Sequence, residues 1–421
     1  YFREMTGNKV SANKVDFADV GQLLLPPPWK NDHVAAVLVL TRCDLTTVHR
    51  PLDQLLALRP SLEEFPIIVA TDCNDTATLD VIRSYGTQVM VIEYPIETRR
   101  NQKLGRSRFA IDYRITDYYG WALNITFLYI RYKAVIVLED DLEISPDFFS
   151  YFKSLLSILE ADKTLYCVSA WNDNGKANLI EKHRATLLHR TDFFSGVSWM
   201  LTRSLWMQDL MREWPDVTWK DWMRKPAQLK NRSCIRPEIS RASKFGPDKA
   251  SNSQTHGGHP QRIHLNRKPI NFSNVDLSYL IKENYDLEFV KQKHFFVDIF
   301  LCHKLYPTEP LRNICTSALN CVNIHFYRSP NLSNKVYSTP AVKLSSLISG
   351  TIRLHIKEPV RLRYKDSKSF KQIAKTLGLS EDIKSGVPRT AYRGVVTFSY
   401  HQRRVYLTPS CIWTGYEVNN W

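Results

Sequence analysis

Four short apolar runs decide what this chain can become. They are VAAVLVLT at Val34–Thr41, PIIVAT at Pro66–Thr71, QVMVIEY at Gln88–Tyr94 and AVIVL at Ala134–Leu138. Each has strand length and little polar alternation, the pattern of a strand buried on both faces. Helical patterns lie between them. Leu52, Leu55 and Leu56 follow the first run, Thr76–Tyr85 the second and Ser107–Tyr132 the third. Strands alternating with helices predict an α/β fold with a parallel sheet covered on both sides. In such sheets ligands bind beyond the carboxyl ends of the strands. Asp72 and the trio Glu139, Asp140, Asp141 stand at two of those ends.

The remaining chain divides around this core. Residues 1–30 are polar and end in LLLPPPW, whose prolines Pro26 to Pro28 favour an extended stem or linker. The α/β unit is expected over 31–290. Beyond the trio it should hold a helix from Pro146 to Leu159, with proline in the first turn, and a strand at LYCVSA. Trp199–Trp222 reads as partly helical, and Ser240–Pro269 as a long polar loop of the kind that serves as a lid. Residues 293–334 hold three of the eight cysteines and lack clear periodicity. Residues 336–421 read as a smaller mixed α+β region. It carries strand-like GVVTFSY and RRVYLT, and a helix Ser369–Leu377 presenting Phe370, Ile373, Ala374 and Leu377 on one face.

Composition narrows the partners. The 421 residues carry a formal net charge of +15, which favours nucleotides, nucleic acid or a membrane surface. No Arg/Lys run interleaves with aromatics and no zinc-finger or helix-turn-helix pattern is present, so nucleic acid is not expected. No stretch of about 18 apolar residues could span a bilayer. The first residue is Tyr1 rather than Met, which leaves room for a signal or anchor ahead of it. None of the eight cysteines has C-x-x-C spacing. Asn74, Asn124, Asn231, Asn271 and Asn331 each begin an N-x-[ST] triplet, which points to the lumen of the secretory pathway.

Three adjacent carboxylates at the end of a buried strand repel one another and call for a counter-charge. A hard divalent cation such as Mg²⁺ or Mn²⁺ supplies it and also takes phosphate oxygens, as in a nucleotide-sugar site. A solvated acidic loop, or a carboxylate capping the next turn, is the other reading. SAWNDNGK at Ser169–Lys176 sets an aromatic beside amides and a carboxylate. Those groups suit a sugar, and equally a turn built on its N-G pair. For Trp199, Trp206, Trp214, Trp219 and Trp222, core packing is the stronger reading.

Longer motifs carry a resemblance. VLEDDLEISPDFFSYF, YCVSAWNDNGK, RTDFFSGVSWML, DWMRKPAQ, CIRPEISRASKFG, VDLSYL and DIKSGVPRTAYRGVVTF resemble, in order, the N-acetylglucosaminyltransferase I family (glycosyltransferase family 13) over about 34–290 and 350–418. The resemblance implies a GT-A fold: a Rossmann-like, mostly parallel sheet flanked by helices, with a smaller mixed α+β C-terminal region. It implies a Mn²⁺-dependent, inverting transfer of GlcNAc from UDP-GlcNAc to O2 of an α1,3-linked mannose on a high-mannose, Man5-type N-glycan. It also implies a type II protein of the Golgi lumen, held to the membrane by an N-terminal anchor. Two readings stand beside it: a transferase of the same family acting on O-mannosyl glycans, and a catalytically weakened relative that binds donor or glycan.

Residue by residue, the resemblance makes Asp141 the metal ligand, Asp140 a nucleotide-sugar contact, Glu139 a carboxylate on the sugar side and Asp72 the contact to uracil. Ser251 falls where the family places a serine on the pyrophosphate. Cys43 with Cys73, and Cys167 with Cys234, match its two disulfides. Residues 293–334 match nothing in the family, and against that resemblance they read as an insertion or as translated intron sequence. Three positions depart. Leu45 replaces the arginine of a C-D-R motif, and Tyr118 replaces a histidine. In WKDWMR, Lys220 replaces the first aspartate of W-D-D-W-M-R, which the family uses as its base. Inverting transfer needs a group that accepts the proton of the attacking hydroxyl, and a charged lysine does not do that. Asp221 is the substitute base after a small backbone shift, or else the structural partner of a nearby arginine.

Overall fold

The computed structural model describes residues 33–41, 45–73, 75–95, 107–245, 263–289, 336, 339–356 and 358–409. Its centre is an eight-stranded sheet in the order β3-β2-β1-β4-β8-β6-β9-β7. The strands are β1 (Ala36–Thr41), β2 (Ile67–Thr71), β3 (Met90–Glu93), β4 (Ala134–Glu139), β6 (Leu165–Ser169), β7 (Leu188–Thr191), β8 (Trp199–Thr202) and β9 (Ser233–Pro237). The four predicted runs form the parallel half, β3-β2-β1-β4. Past β4 the sheet is mixed: β8 runs antiparallel to both β4 and β6, β6 and β9 are parallel, and β7 is antiparallel to β9.

Both faces are covered, for the reason the apolar runs gave. Successive side chains of a strand point to opposite faces. Val37, Val39, Ala134, Ile136 and Leu138 therefore pack into one core, with Leu52 and Leu55 of α1 (Leu45–Leu58). Ala36, Leu38, Leu40, Val135 and Val137 pack into the other, with Ala122 and Leu123 of the helix that follows β3. That helix, α3 (Arg108–Asn124), is capped by Ser107. It gives way to one π-helical turn at Ile125–Tyr129, shorter than the expected reach to Tyr132. The second helix, α2 (Thr76–Ser84), starts on Asp75, whose carboxylate accepts from the Thr78 backbone.

Two expectations need correction. The helix after the trio, α4 (Phe148–Ala161), begins two residues past Pro146, with Asp147 as its N-cap residue. Asp147 makes no capping bond because its carboxylate is tied to the buried guanidinium of Arg241 at 3.0 Å. The Trp-rich stretch is partly helical, as expected, after opening as strand β8, where Trp199 pairs with Val137 at the centre of the sheet. The polar loop contains a strand: β10 (Ala242–Lys244) pairs antiparallel with β5 (Leu142–Ile144), forming a small ribbon directly beyond the trio.

The C-terminal part forms a three-stranded sheet, β11-β15-β14, from Val360–Tyr364, Arg403–Pro409 and Val396–Tyr400. A short hairpin, β12 (Ile383–Lys384) and β13 (Val387–Pro388), precedes β14. The helix Ser367–Leu377 packs Phe370, Ala374 and Leu377 on this sheet, the face the spacing predicts. Cys167 and Cys234 are bonded across β6 and β9. Cys73 is disulfide-bonded, while its expected partner Cys43 lies outside the described residues, as do 293–334 and the stem.

Candidate functional site

Because β2, β1 and β4 are parallel neighbours, their carboxyl ends share one edge of the sheet. Asp72 follows β2 there, and the acidic trio ends β4. Glu139 is still a strand residue and is buried. One of its oxygens, Oε1, accepts from the Tyr119 hydroxyl at 2.7 Å and from Lys220 Nζ at 2.9 Å. Asp140 is also buried, and its backbone N–H donates to the Leu40 carbonyl of β1 at 3.2 Å.

Asp141 differs from both. It leaves the strand half-buried, and its Oδ2 lies 3.2 Å from Lys244 Nζ. Its Oδ1 is buried with no hydrogen-bond partner. A buried carboxylate oxygen without a partner is costly and calls for an explanation such as an ion. Among the described residues no three His, Cys, Asp or Glu side chains gather as a metal cage. A single carboxylate fits a hard cation whose other ligands are water and substrate phosphates.

Lys220 reaches Glu139 from the helix Trp219–Met223, which follows Thr218 in the left-handed region. Its ammonium lies 5.3 Å from the centre of the Trp219 ring, and that ring is 4.5 Å from the ring of Tyr119. The stem of Lys220 passes Gly196, whose φ is +69°; a Cβ there would sit 3.3 Å from Lys220 Cγ and Cδ. The cation is therefore built into the centre of the site, where the resemblance places a carboxylate. Asp221 is turned about 100° around the helix from Lys220. Its Oδ1 meets Arg224 at 2.8 Å and Lys384 at 3.9 Å, and its side chain is 50% exposed. Arg224 in turn donates to the carbonyls of Phe194 and Ser195.

Tyr118 stands one residue before the Glu139 partner. Its hydroxyl donates to the Ala70 carbonyl of β2 at 2.6 Å and its ring stacks on Trp121. It is buried beside β2, the strand that Asp72 follows. The structure thus gathers Asp72, Tyr118, Glu139, Asp140, Asp141 and Lys220 at one edge, with Asp221 on another side of its short helix. Leu45 is the first residue of α1 at the end of β1, with its side chain undescribed, and Ser251 lies outside the described residues.

SAWNDNGK turns out to be an internal joint rather than an open sugar contact. Asn172 Nδ2 donates to the Glu238 carbonyl, and Asn174 Nδ2 to Thr390 Oγ1 at 2.9 Å. Asn174 Oδ1 accepts from the Ser380 backbone. Asp173 pairs with Arg389, and Lys176 donates to the Gly378 carbonyl. The turn reading holds: a Cβ at Gly175 would lie 2.8 Å from the Asn172 carbonyl oxygen. Trp199, Trp206, Trp219 and Trp222 are core residues, and Trp214 is partly buried against them. Sequence reasoning missed Tyr119 and Lys244. Neither carries a local signal: Tyr119 stands about 100° around the helix from Tyr118, and Lys244 arrives from a distant segment.

Residues 14–299 and 320–420 match the GNT-I family. The alpha-1,3-mannosyl-glycoprotein 2-beta-N-acetylglucosaminyltransferase of Arabidopsis thaliana is 33% identical over 379 residues, 89% of this chain and 73% of that protein. Among solved structures, GalNAc-T7 with UDP, GalNAc and Mn²⁺ aligns at 12% identity and a TM-score of 0.36, over 68% of this chain and 54% of that one. The mannosyltransferase PcManGT from Pyrobaculum calidifontis with GDP-Man and Mn²⁺ aligns at 14% and 0.28, over 41% and 46%. S. aureus TarS 1-349 with UDP-GlcNAc aligns at 13% and 0.33, over 68% and 71%. Likeness at this level carries no residue-by-residue correspondence.

Proposed function

We propose that this chain, which belongs to the GNT-I family, transfers GlcNAc with inversion from UDP-GlcNAc to O2 of an α1,3-linked mannose on an N-glycan. Its fold is the GT-A arrangement, with the parallel half of the sheet presenting an acidic edge. The observation that carries the reading is Asp141, whose buried, unpartnered Oδ1 sits at the edge where such sheets bind ligands.

Asp141 would hold Mn²⁺, with the donor diphosphate completing the ligand set. Bound there, the metal supplies charge stabilisation for the departing UDP. Asp72 is assigned to uracil, Asp140 to the nucleotide-sugar, and Glu139 to the sugar side, where Tyr119 and Lys220 fix its carboxylate. Leu45 and Tyr118 bring no charge to the positions where the resemblance has an arginine and a histidine. Lys220 as an ammonium has no lone pair for the acceptor proton. We assign that role to Asp221, the half-exposed carboxylate beside it in the chain. The acceptor is assigned as a Man5-type N-glycan. The O-mannosyl and weakened-relative readings are not favoured by the 33% identical relative, which is named for transfer to α1,3-mannosyl glycoprotein.

Residence in the Golgi lumen as a type II protein is part of the same proposal. The Cys167–Cys234 disulfide supports an oxidising compartment, and the sequon residues Asn231 and Asn271 are exposed. Asn124 suits glycosylation less well, since its Oδ1 accepts from Trp206 Nε1. No helix of the described residues is long and apolar enough to cross a membrane.

The test is transfer itself. Protein given UDP-GlcNAc, Mn²⁺ and a Man5 N-glycan should yield a product heavier by one GlcNAc in mass spectrometry. Asp141→Asn should lower the rate by about 10²–10³-fold, the cost of losing one preorganised electrostatic contact to developing charge. No product from the wild type, with UDP binding intact, would overturn the transferase reading.

A further inference from the structure

The ribbon beyond the trio places a lysine on Asp141, whose Oδ1 is buried without a hydrogen-bond partner. Lys244 ends β10, opposite Leu142 of β5, and the next backbone N–H, of Phe245, donates to the Asp141 carbonyl at 2.9 Å. This pairing brings Lys244 Nζ to 3.2 Å from Asp141 Oδ2. Both side chains are about one-third exposed, so the ammonium has water to move into. Lys220 is different: its carboxylate, Glu139, is almost wholly buried and also bound by Tyr119.

A divalent cation on Asp141 and an ammonium 3.2 Å from the same carboxylate repel each other. One must yield. A nucleoside diphosphate brings the anionic oxygens to which a displaced lysine can turn. We propose that Lys244 is the resident counter-ion of Asp141, displaced on loading, so that metal and nucleoside diphosphate bind as a coupled pair rather than independently. Lys244 is then a positioning residue that acts through Asp141. The proposal rests on the reading of Asp141 as metal ligand.

Mn²⁺ binding, followed by the electron paramagnetic resonance signal of the free ion with and without UDP, tests this without any turnover. Wild-type protein should bind Mn²⁺ weakly alone and more tightly with UDP. Lys244→Met should bind Mn²⁺ without UDP about tenfold more tightly than wild type, and the gain from UDP should shrink. Lys244→Arg, which keeps the charge, should behave as wild type. Equal affinity of Lys244→Met and wild type in the absence of UDP, with binding lost in Asp141→Asn, would overturn the proposal and leave the metal reading standing. The same holds if Lys244→Arg matches Lys244→Met. Failure of every form to bind Mn²⁺, with or without UDP, would remove the metal reading and the proposal with it. Circular dichroism of each variant checks that the fold is kept.

Discussion

Lys220 and Glu139 form an ion pair where a chain of this family is expected to keep a free carboxylate. Removing the cation leaves a buried carboxylate with Tyr119 as its remaining partner among those described above. Breaking a fully buried pair costs about 3–5 kcal/mol. Lys220 is one-third exposed, so Lys220→Met should cost less, about 1–2 kcal/mol, read as a lower midpoint in urea. An unchanged midpoint would mean that water already screens the pair. Asp221 is tested differently: Asp221→Asn should slow transfer by about 10²–10⁴-fold if it accepts the acceptor proton, with UDP binding unchanged. Full activity would leave its bond to Arg224 as its role. At this scale the carboxylates were legible, because three acids ending an apolar run need a counter-charge. The counter-charges that answer them were not, because Lys220 and Lys244 arrive from segments about 80 and 100 residues downstream.

At the scale of elements, hydrophobic period and punctuation carried far. The four apolar runs became neighbouring parallel strands, and the Ser369–Leu377 pattern became a helix with the predicted buried face. Errors came where tertiary partners claimed a local signal. The helix expected from Pro146 starts past it, after Asp147, which gives its carboxylate to Arg241. Where no partner competes, the local rule should hold. Asp366 caps the helix Ser367–Leu377 through Ser369 in a reciprocal capping box, with both groups at the surface. Asp366→Ala should therefore lower stability through the lost cap, read as a lower midpoint in urea. A cost near zero would show that packing of Phe370 and Leu377 alone sets the helix start.

Over the whole molecule, buried charges join the C-terminal sheet to the edge of the central one. Arg404 of β15 meets Glu181 at 2.8 Å and Glu238 at 3.0 Å, and Glu238 is 2.8 Å from His189 of β7. Burial, then Arg236, pushes the His189 ring down to about 3. Burial alone would raise Glu238, but Arg404 and His189 outweigh it and hold the carboxyl below its usual range. A histidine held neutral when folded takes up a proton only on unfolding, so its contribution is intact above its ordinary value of 6.5 and is lost as pH falls toward 3. Glu238 begins to lose its own contribution only near 4.5. The melting temperature should therefore drop from pH 6.5 to 4.5, and His189→Asn should flatten that interval. His264, also pushed down by burial, is common to both proteins. Parallel profiles would exclude His189 as the acid-sensitive group. The sequence by itself determined the parallel α/β core, its acidic edge and the family, because hydrophobic period and contiguous motifs are local properties of the chain. Only the tertiary structure decided that SAWNDNGK is a joint, that Lys220 pairs with Glu139 and that Lys244 meets Asp141, because burial and strand pairing choose which distant side chain meets each charge.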